Sequence, residues 1–362
     1  MFTQTLKARV LGSDLINLLT GPHGVDRYTE QVDRTWTLAE GRAKVVDVRR
    51  DTPRSVTLVL APNEAFTDTI KAGQYVNLSV EIDGRRHGRC YSPANAEGSS
   101  HVELTIGHHD GGLVSTYLYE RARRGMVVGL TGVGGDFVLP AQRPRRILFV
   151  SGGSGITPVM AMLRTLCDES FAGEIGFLNY ARSPELALYG SELDQLAARN
   201  RRLRVARGFT RGGDAPLGGR FCREHLRAVI SEHSEATTFV CGPPALIDAV
   251  RALWANDGLA EPTVETFTAP ALSFDTAGAE GTVSFAVSGR EAANSGLPLL
   301  EQAEDAGLSP DHGCRMGICN TCSCRKRAGT VRNVFTGQIS SAADEQIRIC
   351  VSVPLGDVSL EL

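Results

Sequence analysis

The sequence carries no strong charge of either sign: 38 Lys+Arg stand against 41 Asp+Glu, a net charge of −3. So even a balance gives the molecule no field to gather a polyanion, and nucleic acid is not an expected partner. Long apolar runs are also missing. The most apolar stretch, Ile147 to Leu163, is interrupted from Ser151 to Gly155, and the run of about 18 apolar residues that a membrane helix requires occurs nowhere. The opening Met-Phe-Thr-Gln-Thr-Leu-Lys has no basic segment leading into an apolar one, so export by a signal peptide is not expected. A cytoplasmic location follows, with peripheral contact at the inner face of a membrane left open. In that compartment the nine cysteines read as thiols or ligands, not disulfides.

What is present is an ordinary globular composition, with 42% hydrophobic and 22% charged residues, 39 glycines and 16 prolines. Disorder, collagen and coiled coil are excluded as the main architecture. A length of 362 residues predicts two or three cores.

The cysteines are unevenly placed. Cys90, Cys167, Cys222 and Cys241 are scattered, whereas Cys314, Cys319, Cys322, Cys324 and Cys350 crowd into the last fifty residues. Cys314, Cys319 and Cys322 stand at C-x4-C-x2-C, and Cys350 follows much later, the plant-type 2Fe-2S spacing. Each iron wants tetrahedral sulfur, so a tight loop wraps the cluster and one distant thiolate closes it. Gly313 and Gly317 suit that loop. Zinc is the competing occupant, but zinc knuckles pair two C-x2-C units or add a C/H pair, and only one C-x2-C is present. Cys324 is left over from a four-ligand set. Around the loop, alternation over 281–287, a helical pattern over Leu297–Ala306 and β-rich runs at 330–332 and 357–362 make residues 281–362 resemble a ferredoxin domain of the β-grasp type, which implies one-electron transfer.

In the middle of the chain an apolar run at 145–150 leads into Ser-Gly-Gly-Ser-Gly-Ile-Thr-Pro and then a helical pattern. Glycines at a helix start let backbone amides meet a pyrophosphate. A second strand, Thr238 to Cys241, ends in Gly242-Pro243 before another helix. Both loops are predicted at the carboxyl end of a parallel sheet. No acid ends either of the strands carrying Arg182 and Arg211, which favours NADPH over NADH. Earlier, from Ala43 to Val138, short β-rich runs alternate with turns and predict a β-barrel.

Gly88-Arg-Cys-Tyr-Ser-Pro, Gly111-Gly-Leu-Val-Ser and Cys241-Gly-Pro-Pro, in that order with the glycine turn, resemble the ferredoxin-NADP reductase superfamily. The resemblance implies a Greek-key flavin barrel over 38–142, a parallel α/β nicotinamide domain over 143–268, a linker over 269–280 and the ferredoxin module. It implies that Arg89 pairs with a flavin phosphate, Tyr91 stacks on the isoalloxazine, and Ser92 bonds near N5. Gly111, Gly112, Leu113, Val114 and Ser115 hold the pyrophosphate of FAD, with FMN as the alternative. Gly153, Ser154, Gly155, Thr157, Pro158, Arg182, Arg211, Gly242 and Pro243 hold the nicotinamide nucleotide. Cys241 lies beside the nicotinamide ring, with Phe267 near the flavin, and Cys314, Cys319, Cys322 and Cys350 ligate the cluster. Tyr91, Ser92 and Cys241 are the candidate catalytic residues. Without the resemblance, Tyr91 and Phe267 read as core residues, Cys241 as a buried thiol and the two arginines as solvated charges.

Residues 1–37 carry apolar positions at helical spacing up to Leu19, then a breaker and loop through Tyr28. The segment Gly21 to Tyr28 resembles the electron-transfer partners of bacterial acyl-CoA desaturases. A hydride brings two electrons and a cluster takes one, so a flavin must stand between them. The expected protein is an NAD(P)H-dependent flavin iron–sulfur reductase serving a membrane fatty acyl-CoA desaturase. The alternatives are a reductase for a soluble oxygenase (Rieske, diiron or P450) and a low-turnover redox sensor. Arg315, Arg325, Lys326 and Arg327 predict a basic collar around the cluster, able to attract an acidic partner.

Overall fold

The computed structural model describes residues 26–37, 39–212, 217–267, 279–313, 315–317 and 321–362. These gather in two compact units, one within Met1–Leu78 and Tyr91–Thr268, the other within Ser79–Cys90 and Ala269–Leu362. A short helix, α1 (Asp26–Val32), occupies part of the stretch that the sequence reads as loop. The helix predicted before residue 20 lies outside the described residues, as does nearly all of the predicted linker.

The flavin-type barrel is built from β1 (Arg42–Arg49), β2 (Ser55–Pro62), β3 (Tyr75–Ile82), β4 (Arg85–Tyr91), β5 (Val102–Gly107) and β6 (Val127–Gly134), in the order β4-β3-β6-β1-β2-β5. Alternate residues of β3, Val76, Leu78 and Val80, are buried, the period-two signature of a sheet with one face in a core. Helix α2 (Leu113–Arg121) follows β5.

The nicotinamide-type sheet has strands β7 (Arg146–Gly152), β8 (Glu174–Ala181), β9 (Leu203–Phe209), β10 (Leu217–Gly218), β11 (Thr237–Cys241) and β12 (Thr263–Glu265). All pairs are parallel, in the order β10-β9-β8-β7-β11-β12. The chain winds outward from β7 to β10 and then returns to the other side of β7. The point of reversal lies between β7 and β11, where open parallel sheets leave a crevice for ligands. The helices are α3 (Ile156–Asp168), α4 (Gly190–Arg199), α5 (Arg223–Leu226) and α6 (Pro244–Asn256). Because both faces of this sheet are covered, its strands read as apolar runs. One face packs Phe149, Phe177 and Phe239 on α3 and on Ala94 and Phe137 of the barrel, and the other packs Leu148, Val150 and Val240 on α6.

The second unit holds β13 (Thr282–Phe285), β14 (Arg290–Ala293), α7 (Leu299–Asp305), β15 (Ser323–Asn333), β16 (Ile339–Ser340), β17 (Glu345–Arg348) and β18 (Ser352–Leu360). The sheet order is β14-β13-β18-β15-β16, with β17 also on β15. Its core joins Val283, Phe285 and Leu360 to Leu299, Leu300 and Ala303 of α7.

Candidate active site

At the reversal point β7 runs into a tight turn, Gly153–Gly155, and α3 begins at once. Glycine is required there by contact. A Cβ on Gly155 would lie 2.3 Å from the Cys241 carbonyl oxygen, and one on Gly152 would lie 2.9 Å from Pro243 Cδ. The two loops therefore pack backbone on backbone. Thr157 donates to the Ser154 carbonyl at 3.1 Å, and Pro158 sits in the first turn of α3, where a missing N–H costs no helical bond. The Ile156 N–H bonds back to the carbonyls of Gly153 and Ser154, so the turn runs straight into α3, and a glycine turn at a helix start of this kind suits a phosphate. At the ends of β8 and β9 the exposed Arg182 and Arg211 lie side by side, the Arg211 N–H donating to the Arg182 carbonyl at 2.7 Å.

In-register parallel pairing lines up Asn179, Ser151, Cys241 and Glu265 across β8, β7, β11 and β12. Paired residues share a face, so this polar row lies on the side that packs against the barrel. Ser151 donates to Asn179 Oδ1 at 3.0 Å. Cys241 is fully buried, and burial, aided by the nearby Glu265 charge, pushes its thiol well above the ordinary range. A thiol held protonated in this way is a poor nucleophile.

Glu265 stands two positions before Phe267, the residue of that segment named from the sequence, which is 42% exposed here. The available signal was a carboxylate ending a strand beside a buried cysteine. Glu265 Oε2 and Ser92 Oγ are the two sealed side-chain polar atoms without a hydrogen-bond partner among the described residues. Buried polar atoms are normally paired, so two orphans in this unit fit polar cofactors that supply the missing bonds. Burial raises the Glu265 carboxyl from 4.5 to about 8, which makes it a proton-bearing donor at neutral pH.

The pH consequence has a definite sign. Below pH 4.5 the folded and unfolded chains both hold this proton; above it the unfolded chain releases a proton that the folded one keeps up to about pH 8. Stability therefore falls as pH rises through that window. Glu265→Gln removes this slope, so the variant's Tm relative to wild type should climb from pH 4.5 to about 8 in thermal scans across pH. A constant difference would refute the assignment.

Ser92 follows Tyr91, the last residue of β4, and is 4% exposed. The α2 start is a close-fitting cradle: a Cβ on Gly112 would lie 2.5 Å from Ser115 Oγ and 3.1 Å from the His109 carbonyl oxygen. Gly111 has φ +78°, Val114 is buried and Leu113 is 47% exposed. Gln74 takes a bond from the Lys71 N–H and gives one to the Gly135 carbonyl, pinning the turn between β2 and β3. Arg89, read from sequence as a phosphate ligand, donates one guanidinium nitrogen to the carbonyls of Gly88 and Gly313, at 2.7 and 2.8 Å.

In the second unit Cys322 and Cys350 are buried in one core, and the Ile349 N–H donates to the Cys322 carbonyl at 3.2 Å, so the β15–β17 ladder brings them together. Cys314 and Cys319 lie outside the described residues. Gly317 has φ +71°, its position closes on Val351, and its carbonyl accepts from Arg348. Two buried thiols beside a glycine turn fit the donor set of an iron–sulfur cluster.

The predicted basic collar is corrected by its pairings. Arg315 is bound to Glu304, Arg325 to Asp344 and Arg327 to Glu361. Lys326 is fully buried, its ammonium donating to the carbonyls of Gly329, Ser340 and Ala342. Three neutralised charges and one internal one leave little net field for a partner. The carboxylates that cancel them lie 11 to 34 residues away, so local composition misled.

Known families account for all three modules. Residues 48–139 match an oxidoreductase FAD-binding domain, residues 149–252 an oxidoreductase NAD-binding domain, and residues 286–355 a 2Fe-2S iron-sulfur cluster binding domain. The class is thus an electron-transfer oxidoreductase holding FAD, a nicotinamide nucleotide and a 2Fe-2S cluster. The chain is 34% identical over 354 residues to an NADPH oxidoreductase of Mycobacterium tuberculosis, covering 95% of this chain and 90% of that one. It is 29% identical to a glycine betaine monooxygenase reductase subunit of Pseudomonas aeruginosa, covering 91% and 97%. Phthalate dioxygenase reductase shares the fold, with a TM-score of 0.60 at 21% identity over 89% of this chain and 97% of that one. The chain belongs to the ferredoxin-NADP reductase superfamily, with FAD-binding, NAD-binding and 2Fe-2S domains joined in one chain.

Proposed function

We propose that this protein is the NADPH-dependent reductase of a soluble oxygenase or hydroxylase system, with residues 38–142, 143–268 and 281–362 as its flavin, nicotinamide and cluster modules. The supporting observation is that all three cofactor modules lie in one chain that matches a monooxygenase reductase subunit over almost its full length. Bound FAD would supply two-electron hydride chemistry and the 2Fe-2S cluster one-electron transfer. The chain's own groups bind and orient: the Gly153–Gly155 turn and α3 hold the dinucleotide phosphates, and Gly111 to Ser115 hold those of FAD. Ser92 and the protonated Glu265 donate to the reacting rings, Tyr91 and Phe267 offer aromatic faces, and Cys241 packs beside the nicotinamide. Among the described residues no helix is long and apolar enough to cross a membrane.

A second reading, electron delivery to a membrane acyl-CoA desaturase, is favoured by the segment Gly21 to Tyr28. Reconstitution decides between them: the reduced protein is mixed with purified Rieske, diiron and P450 oxygenases and with desaturase-containing membranes, and turnover is measured. Turnover by an oxygenase alone supports the proposal, and turnover by the membranes alone replaces it with the desaturase. If NADPH reduces the cluster slowly in stopped flow despite bound FAD, electron delivery fails and the sensor reading stands. Arg182 and Arg211 carry the choice of nucleotide. Replacing both with alanine should raise KM for NADPH about 10-fold or more while leaving KM for NADH nearly unchanged, since charge-assisted phosphate contacts contribute about 1.5–3 kcal/mol.

A further inference from the structure

Helix α3 is buried along its length from Ile156 to Leu166, with one charged side chain among those residues, Arg164. A charge in such a place must be paired, and Arg164 is paired on several sides. Its Nε and Nη2 grip Glu192 of α4 at 2.7 Å each, and its Nη1 donates to Glu103 of β5 at 2.8 Å. The same Nη1 donates to the Ala94 carbonyl at 2.7 Å. Its guanidinium carbon lies 5.3 Å from the centre of the Tyr189 ring, and the Tyr189 hydroxyl bonds to Thr105 of β5. Glu103 is held from its other side by Arg49 of β1. One residue further along α3, Thr165 Oγ1 accepts the Glu97 N–H at 3.1 Å.

These contacts have a direction. Ala94 and Glu97 continue the segment that begins with Tyr91 and Ser92, while the other end of α3 carries Thr157, Pro158 and the glycine turn. One rigid helix thus holds the nicotinamide loop at its start and, near its end, the strand exit bearing the flavin-facing residues. We propose that Arg164 is a positioning residue for hydride transfer: it fixes the separation between the two ring sites by tying α3 to the Ser92–Glu97 segment. The proposal rests on the assignment of those ring sites under the proposed function. Since a displacement of about 1 Å can cost about 100-fold in rate, a side chain that touches neither cofactor can still govern the hydride step.

The test uses the FAD-loaded, full-length protein. Arg164→Met should lower the rate of flavin reduction by NADPH about 10- to 100-fold. KM for NADPH and FAD content should change less than about 2-fold, and the charge-transfer absorbance of the NADP+ complex should weaken. Hydrogen exchange, read without turnover, should show loss of protection at the amides of Ala94 and Glu97. Arg164→Lys, which keeps the charge but not the fork, should recover only part of the rate. Should Arg164→Met fail to fold, Arg164→Lys and Glu192→Gln are measured by the same criteria. An unchanged reduction rate and absorbance in a folded variant would overturn the proposal, as would a rise in KM with the rate intact. Ser92→Ala serves as the separate control. If it leaves flavin binding and reduction at wild-type values, the site assignment fails whatever Arg164 does.

Discussion

Replacing Cys322 with serine is expected to abolish the visible absorption and the reduced-state paramagnetic signal of the 2Fe-2S cluster, and with them electron transfer to cytochrome c. Cys322 is 3% exposed and shares a core with Cys350, so neither is a surface thiol free of structural duty. A four-ligand set that loses one thiolate has no spare in register to replace it: Cys324, on β15 just after Cys322, points its Sγ toward the Arg325 carbonyl at 3.7 Å. Flavin reduction by NADPH should persist, because the nicotinamide elements and most of the flavin elements, Ser92 and Gly111 to Ser115 among them, belong to the other unit. Cys324→Ser should retain the cluster. Metal analysis with spectroscopy checks both variants, and a colourless wild-type protein carrying zinc would refute the cluster assignment.

Gly155→Ala is expected to be nearly as damaging, by a different route. The new methyl group would fall 2.3 Å from the Cys241 carbonyl oxygen and 2.7 Å from the Gly242 nitrogen, both of them backbone atoms that cannot swing aside. Relief requires prising β7 from β11, where Ser151 and Cys241 are paired. Overpacking of this kind costs about 1–3 kcal/mol, and the loops that should hold the dinucleotide separate in the process. NADPH affinity should fall by at least about 10-fold with FAD still bound, a loss of about 1.4 kcal/mol. Titration of NADP+ against the purified protein checks this. An unaltered affinity would show that the two loops do not form one site.

Much of the architecture was legible because its signals are local. The runs at 145–150 and 238–241 are apolar since both faces of the sheet are covered, and the glycine turn announces the start of α3. Strands β4 and β6 were not legible. Arg85–Tyr91 has no buried residue and so no alternation to detect, and the sequence of Val127–Gly134 is diluted by three glycines. The site divides in the same way. Ser92, Gly155 and the cysteines announce themselves by motif, but Glu265 matters because its oxygen is sealed, and burial of one atom leaves no mark on neighbouring letters. Arg164 is likewise invisible, since Ala94, Glu103 and Glu192 lie 28 to 70 residues away. The basic collar failed for the reverse reason: its charges are adjacent in sequence, and the carboxylates that cancel them are not.

The chain has four lysines, Lys7, Lys44, Lys71 and Lys326, and from Ala279 onward Lys326 stands alone. Its ammonium is enclosed by three backbone carbonyls and is fully buried. The electron-delivering module therefore offers no reactive amine at its surface. Amine-directed cross-linkers and acylating enzymes will pass over it while the module stays folded, so chemical trapping of the acceptor must go through its carboxylates or arginines. By the same token, Lys326 becoming labelled would be a direct chemical sign that this module has opened.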